Sequence, residues 1–167
     1  MSPMIRRATA SDIPLILELI RELADYEKEP EAAVATAEDL RRDGFGEQPY
    51  FHVLIAETTH LGKEGPEIVP AGFAFYFFNY STWQGKPGLY LEDLFVRPAY
   101  RGLGLGKALL RELACIAIDR NCGRMQWAVL DWNQPAIDFY KSLGVSILKE
   151  WLPCRLSDGE IARLARS

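Results

Sequence analysis

The chain has 167 residues, the size of one domain of about 100–200 residues. Its 49% apolar and 25% charged residues exclude a disordered or fibrous chain. The net charge of −4 argues against nucleic acid as the main partner and weakly favours cationic small molecules. No apolar run nears the roughly 18 residues of a membrane span, so no membrane partner is expected. Met1-Ser-Pro-Met-Ile-Arg-Arg7 carries no apolar segment after its charges, so no secretory signal is expected either. Cys115, Cys122 and Cys154 form an odd set without metal spacing; with only two histidines, His52 and His60, they point to a reducing cytoplasm and no metal.

In chain order, Ile5–Thr9 predicts a short strand. Thr9 or Ser11 caps the next helix, whose first turn takes Pro14. Ile16, Leu19, Ile20 and Leu23 form its apolar face. A second helix runs from a Thr36 cap, with Asp39 closing a capping box, to Gly44. Strands follow at Phe51–Glu57 and Ala71–Tyr80, separated by turn chemistry at Thr58–Pro66. Gly85–Gly88 turns into a long strand, Leu89–Arg97. Beyond a glycine-rich loop, Leu109, Leu110, Leu113, Ala114 and Ala117 mark a helix. Met125–Leu130 reads as a buried strand, and Pro135 opens a helix that ends at Gly144. A strand from Val145 comes next, then a short helix with a Ser157/Glu160 capping box and a Leu156/Ile161 staple. With no repeat or linker, residues 1–167 read as one domain. Its fold class is α+β, mostly antiparallel in the sheet, with a parallel βαβ crossover in the second half and flanking helices.

The chemistry concentrates in Tyr90-Leu-Glu-Asp-Leu-Phe-Val-Arg-Pro-Ala-Tyr-Arg-Gly-Leu-Gly-Leu-Gly-Lys107. A strand enters a loop with glycines at 102, 104 and 106, and the loop opens a helix. Successive backbone N–H groups and the helix N-terminus make an anion site suited to a pyrophosphate, and Arg101 and Lys107 add formal charge. A plain strand–helix turn that needs glycine is the alternative. A dinucleotide fingerprint would read GxGxxG in a first βα unit. A nucleotide P-loop would place Ser or Thr after Lys107, where this chain has Ala108.

Arg101-Gly-Leu-Gly104-Leu-Gly106 resembles the acetyl-CoA loop of the GNAT N-acetyltransferase superfamily, [R/Q]-x-x-G-x-[G/A]. Tyr26-Glu27, Glu92-Asp93, Tyr100-Arg101-Gly102, Trp132-Asn133 and Phe139-Tyr140-Lys141 look like its spermidine/spermine acetyltransferase branch. Within that branch, Tyr80–Gly85, Tyr90–Asp93 and Ala128–Gln134 are most similar to the thialysine N-epsilon-acetyltransferases. The likeness spans nearly the whole chain. It implies an enzyme that moves an acetyl group from acetyl-CoA to a primary amine of a small molecule, a thialysine-like amino acid or a di- or polyamine. Attack would be direct, in a ternary complex. It also implies a homodimer.

Carried over by that resemblance, the main chain of Leu94, Phe95 and Val96 bonds the pantetheine like an added strand. Arg101, Gly102, Leu103, Gly104, Leu105, Gly106 and Lys107 hold the pyrophosphate. Asn133, Gln134, Pro135 and Ala136 form a second cofactor segment, though Asn133 reads equally well as a helix N-cap. Tyr140 is the general acid for the departing thiolate, its phenol pKa of about 10 leaving it a donor at neutral pH; a core aromatic is the alternative. Glu92 faces the acceptor, binds its ammonium and relays its proton, while Asp93 points to the opposite face if the strand is regular and serves a structural purpose. Tyr26, Glu27, Gln126, Trp127, Ala128 and Glu150 match acceptor-binding positions, Glu150 in a register left open by the shorter C-terminus. Trp83 walls the acceptor pocket or an interface. Where the polyamine enzymes carry an acidic residue before this Trp, the chain has Ser81-Thr82. One carboxylate fewer weakens a polycation more than an amino acid with one side-chain ammonium. The competing readings are a protein-lysine or N-terminal acetyltransferase, which needs an open groove, and a non-catalytic acetyl-CoA-binding regulatory module.

Overall fold

A computed structural model describes residues 3–63 and 65–167. The chain divides into two compact units, one ending at Ala128 and the other covering Val129–Ser167.

The first unit is a five-stranded sheet in the order β1 (Met4–Arg7), β2 (His52–Gly62), β3 (Gly65–Ser81), β4 (Lys86–Val96) and β5 (Arg124–Gln126). The first three pairings are antiparallel; β4 and β5 run parallel. Alternation along the strands sends one set of side chains to each face. Val53, Ile55, Phe73 and Phe95 pack with Ile13, Ile16, Leu19 and Leu23 of α1 (Ile13–Tyr26) and Leu40 of α2 (Ala37–Gly44). The opposite face meets α3 (Leu105–Asp119), whose Leu105, Leu109 and Leu113 are buried. The α+β class, the mostly antiparallel sheet and the single parallel pair agree with the sequence reading.

Local signals explain the helix starts. The Thr9 N–H donates to Asp12 at 2.8 Å, and a 3-10 turn over Ala10–Asp12 leads into α1 with Pro14 in its first turn. In the Thr36/Asp39 box, the Asp39 N–H donates to Thr36 Oγ1 at 3.2 Å and the Thr36 N–H to Asp39 Oδ2 at 3.0 Å. Arg97, just past β4, donates to the Glu22 carboxylate and to the Pro70 carbonyl at 3.0 Å, tying the end of β4 to α1.

Several strand boundaries differ from expectation. β1 covers Met4–Arg7 instead of Ile5–Thr9. Thr58–Pro66 is not a broad turn: β2 and β3 pair from Thr58↔Val69 to Gly62↔Gly65. β-Branched Thr58, Thr59, Ile68 and Val69 suit a strand ladder whatever their polarity. Glu64 lies outside the described residues, as do Met1 and Ser2 of the N-terminal reading. The turn expected at Gly85–Gly88 sits earlier, with the Gly85 N–H on the Ser81 carbonyl at 2.9 Å, so β4 starts at Lys86. Met125–Leu130 is not a buried strand: only Arg124–Gln126 pairs, Ala128 is exposed and Leu130 is 40% exposed.

The second unit holds α4 (Gln134–Ser142) and α5 (Asp158–Leu164). Gly144, at φ 81°, ends α4 as expected. Val145 starts no strand, because no neighbouring segment of this unit offers it a ladder. The Ser157 N–H meets Glu160 at 2.9 Å, but Leu156 and Ile161 both stay exposed, so their expected staple is not buried.

Gly72 is held by close approach of the neighbouring strand. A Cβ on Gly72 would lie 2.4 Å from the Phe95 carbonyl oxygen and 3.0 Å from Val96 Cα. Gly72→Ala must push β3 from β4, costing about 1–3 kcal/mol. A thermal melt is expected to show a Tm lower by at least about 3 °C; an unchanged Tm would contradict this packing.

Candidate active site

The site is built on the C-terminal half of β4. Along one edge β4 is bonded to β3 from Lys86 to Val96, but along the other β5 pairs only with Gly88–Tyr90. The edge from Leu91 to Val96 is therefore left without a strand neighbour among the described residues. Main-chain groups of Leu94, Phe95 and Val96 stand on this segment, where an extended ligand can add as a strand.

The chain leaves β4 through a 3-10 turn, Pro98–Tyr100, and enters the glycine loop. Gly102 (φ 81°) and Gly104 (φ 79°) adopt left-handed backbone, which a side chain would strain. A Cβ at either would meet nothing within 4 Å, so open space lies above the loop. Gly104 is the N-cap of α3 and no side chain caps this end, while the first helical bond is Ala108 N–H to the Gly104 carbonyl. The N–H groups of Leu105, Gly106 and Lys107 thus have no intrahelical partner and suit a phosphate. Leu105 is 2% exposed, so only its main chain can serve a ligand, whereas Leu103 and Lys107 are exposed. Arg101 braces the loop: its Nε donates to the Val96 carbonyl at 2.9 Å and its guanidinium lies 4.5 Å from the Tyr26 ring centroid.

The acidic residues depart from the regular-strand expectation. Phe75 pairs with Asp93 but Tyr76 pairs with Leu91, so Glu92 is an extra residue, a β-bulge. The slip reverses the alternation beyond it. Leu89 and Leu91 share one face; Asp93 and Phe95 occupy the other, with Phe75 opposite Asp93 and Phe73 opposite Phe95. This is the α1 face, and it carries Tyr26, whose ring lies 6.4 Å from that of Phe95, and Glu27 beside it. Asp93 thus does not stand apart from the other carboxylates. Burial, then the charges of Glu92 and Glu27, push its carboxyl up to about 7. Burial also raises Glu27, which is the C-cap of α1 at the negative end of the helix dipole. Glu92 itself is exposed. Three carboxylates at one helix end beside an open strand edge favour an ammonium ligand. Among the described residues no group of His, Cys, Asp and Glu is spaced to hold a metal ion.

The sequence reading sets Asp93 apart from Glu92 on a regular strand, whereas the register slip gathers it with Glu27. The signal of the slip was two adjacent acidic residues, Glu92-Asp93, between apolar neighbours, which breaks the period of two where a bulge inserts a residue.

The other expected residues are divided between the two units. Trp83 is 93% exposed in the β3–β4 turn, some seven residues or about 20 Å along β4 from Asp93, so it does not wall the carboxylate cluster. Ser81 is buried and Thr82 exposed at that same end. Gln126 pairs with Tyr90 and is half-buried, as is Trp127, while Ala128 is exposed. In the second unit, Asn133 is buried and its Oδ1 accepts the Ala136 N–H at 3.3 Å, the N-cap of the two readings. Gln134 and Pro135 are exposed in the first turn of α4 and Ala136 is half-buried. Tyr140 is 8% exposed on α4, its ring 5.4 Å from that of Phe139. Glu150 is exposed beyond α4.

Residues 16–145 match the sequence pattern of the Acetyltransferase (GNAT) family. The chain belongs to this family. This GNAT protein is 46% identical over 165 residues to the thialysine N-epsilon-acetyltransferase of Bos taurus, covering 96% of this chain and 95% of that one. It is 48% identical over 140 residues to spermidine/spermine N(1)-acetyltransferase-like protein 1 of Homo sapiens, covering 84% of this chain and 20% of that one. Among solved structures, an integron cassette protein from the mobile metagenome of V. cholerae is similar, with a TM-score of 0.77, 30% identity, and coverage of 100% of this chain and 99% of that chain. The chain is an N-acetyltransferase enzyme for amine substrates. No helix among its described residues is long and apolar enough to cross a membrane.

Proposed function

We propose that this GNAT enzyme transfers the acetyl group of acetyl-CoA to the side-chain amine of a small amino acid of the thialysine type, with di- and polyamines as poorer acceptors. The observation that carries the reading is the single strand β4. Its unpaired edge leads into the uncapped start of α3, and its bulge presents carboxylates beside that edge.

The donor fits the loop. Its diphosphate would rest on the N–H groups between Gly102 and Lys107, with the Lys107 ammonium adding charge, while main chain at Leu94, Phe95 and Val96 would hold the pantetheine. Asn133 through Ala136 would supply a second contact segment, Asn133 also keeping its N-cap bond. Tyr26, Glu27 and Glu92 would bind the acceptor ammonium, with Gln126, Trp127 and Ala128 beside β4; Glu150 keeps its open register. The freed amine attacks the thioester carbon in a ternary complex, the C–S bond breaks, and Tyr140 gives its proton to the departing thiolate. No acyl-cysteine is needed. Residues 1–167 act as one catalytic domain, the protein works as a cytoplasmic homodimer, and Trp83, exposed on its turn, serves the interface.

A panel of acceptors tests the reading. Thialysine is expected to exceed spermidine in kcat/KM by at least about tenfold, the value of one charged hydrogen bond. Turnover of a lysine peptide alone would overturn the small-amine reading. Acetyl-CoA binding without acetylation of any amine would overturn catalysis.

A further inference from the structure

We propose that Asp93, turned onto the α1 face of β4 by the bulge at Glu92, is the group that takes the proton from the acceptor ammonium. The inference rests on the reading above and assigns the proton to a different carboxylate from Glu92.

The amine presents the chemical problem. An alkyl ammonium has a pKa of about 10.4, so near neutrality almost none is nucleophilic and a base must accept its proton. A useful base titrates near the working pH, and a carboxyl is moved toward that range by burial and by neighbouring like charges. Asp93 meets these conditions by its position. The register slip between Phe75 and Tyr76 takes it off the α3 face and turns it toward the end of α1. There it is half-buried, opposite Phe75 and two residues from Phe95 on the same face. Among the described residues it has no cationic side chain as an ion-pair partner. The charged groups that face it are Glu92 on its own strand and Glu27 at the end of α1. Tyr26 stands beside Glu27, and the nearby Arg101 guanidinium is engaged with the Tyr26 ring and the Val96 carbonyl. The apolar neighbours come from β3 and β4.

A rise from 3.8 to about 7 improves the proton-transfer equilibrium with the ammonium by about three powers of ten. Exposed Glu92 and half-buried Glu27 then act differently: they attract the ammonium, and their charges keep Asp93 basic. The step balances. One nitrogen proton passes to Asp93 and on to solvent, and the nitrogen lone pair forms the N–C bond. The C–S bond breaks, and the second nitrogen proton, lost as the amide forms, matches the one that Tyr140 gives to the thiolate.

The test is the pH profile of kcat/KM with thialysine and acetyl-CoA for the full chain. The unsubstituted enzyme is expected to show a rising limb near pH 7, which reports the free enzyme. Asp93→Asn is expected to lower kcat/KM at pH 7 about 10²–10³-fold and to remove that limb, with acetyl-CoA affinity by calorimetry retained. Glu27→Gln and Glu92→Gln each remove one neighbouring negative charge and are expected to move the limb to lower pH without abolishing it. A limb unchanged in Asp93→Asn, or abolished by Glu92→Gln or Glu27→Gln, overturns the assignment while leaving the acetyltransferase reading intact. Should Asp93→Asn not fold, Glu27→Gln decides: a limb shifted down supports Asp93, and an unmoved or lost limb overturns it. Absence of turnover by the unsubstituted enzyme with any amine overturns the functional reading and this assignment together.

Discussion

Replacing Tyr140 by Phe is expected to lower kcat about 10²–10⁴-fold while leaving the Kd for acetyl-CoA within about twofold, the pattern of a lost general acid. The change deletes one oxygen from a side chain that is 8% exposed and keeps the ring that packs near Phe139, so α4 should persist. A phenol serves this step because it stays protonated at neutral pH and is acidic enough to meet a leaving thiolate. Steady-state kinetics with calorimetry separate the two effects. Equal kcat in the variant would return Tyr140 to a packing role, and a loss confined to acetyl-CoA affinity would make it a binding residue.

The second large effect is expected at Gly104. Its φ of 79° is left-handed, and space above it is open. Gly104→Val places a β-branched side chain in that backbone at a cost of about 1–2 kcal/mol or more and fills the space a phosphate would occupy. The KM for acetyl-CoA is expected to rise at least about tenfold, equivalent to 1.4 kcal/mol, with a smaller change in kcat at saturation. Tm should fall by about 2–6 °C. A KM that stays constant while Tm falls would leave the loop a structural turn.

The parts of the fold that were legible in sequence are those set by near neighbours. Ile16, Leu19 and Leu23 had to share a face, and the Thr36/Asp39 box closes within one turn. Glycines 102 and 104 announced the backbone they adopt. The parts that failed depend on partners far along the chain. Trp127-Ala-Val-Leu130 has strand composition, but no ladder beyond Gln126 receives it. Val145 fails for the same reason. Trp83 resembles a pocket aromatic in sequence, yet the hairpin carries it to the far end of β4. The bulge at Glu92 is the most consequential case: which face Asp93 takes depends on the register with β3, not on local composition. A regular strand separates Glu92 and Asp93, whereas the paired strand gathers Asp93 with Glu27.

Central to the proposal is that the loop between Gly102 and Lys107 holds the diphosphate of acetyl-CoA. Calorimetric titration with acetyl-CoA and, separately, with S-acetylpantetheine, which keeps the thioester arm but lacks the diphosphate, tests it most directly. Saturable acetyl-CoA binding is expected, with the truncated donor weaker by at least about 10²-fold, as for the loss of one or two charged hydrogen bonds. Equal affinity for the two donors, or no heat of binding with either, would contradict it.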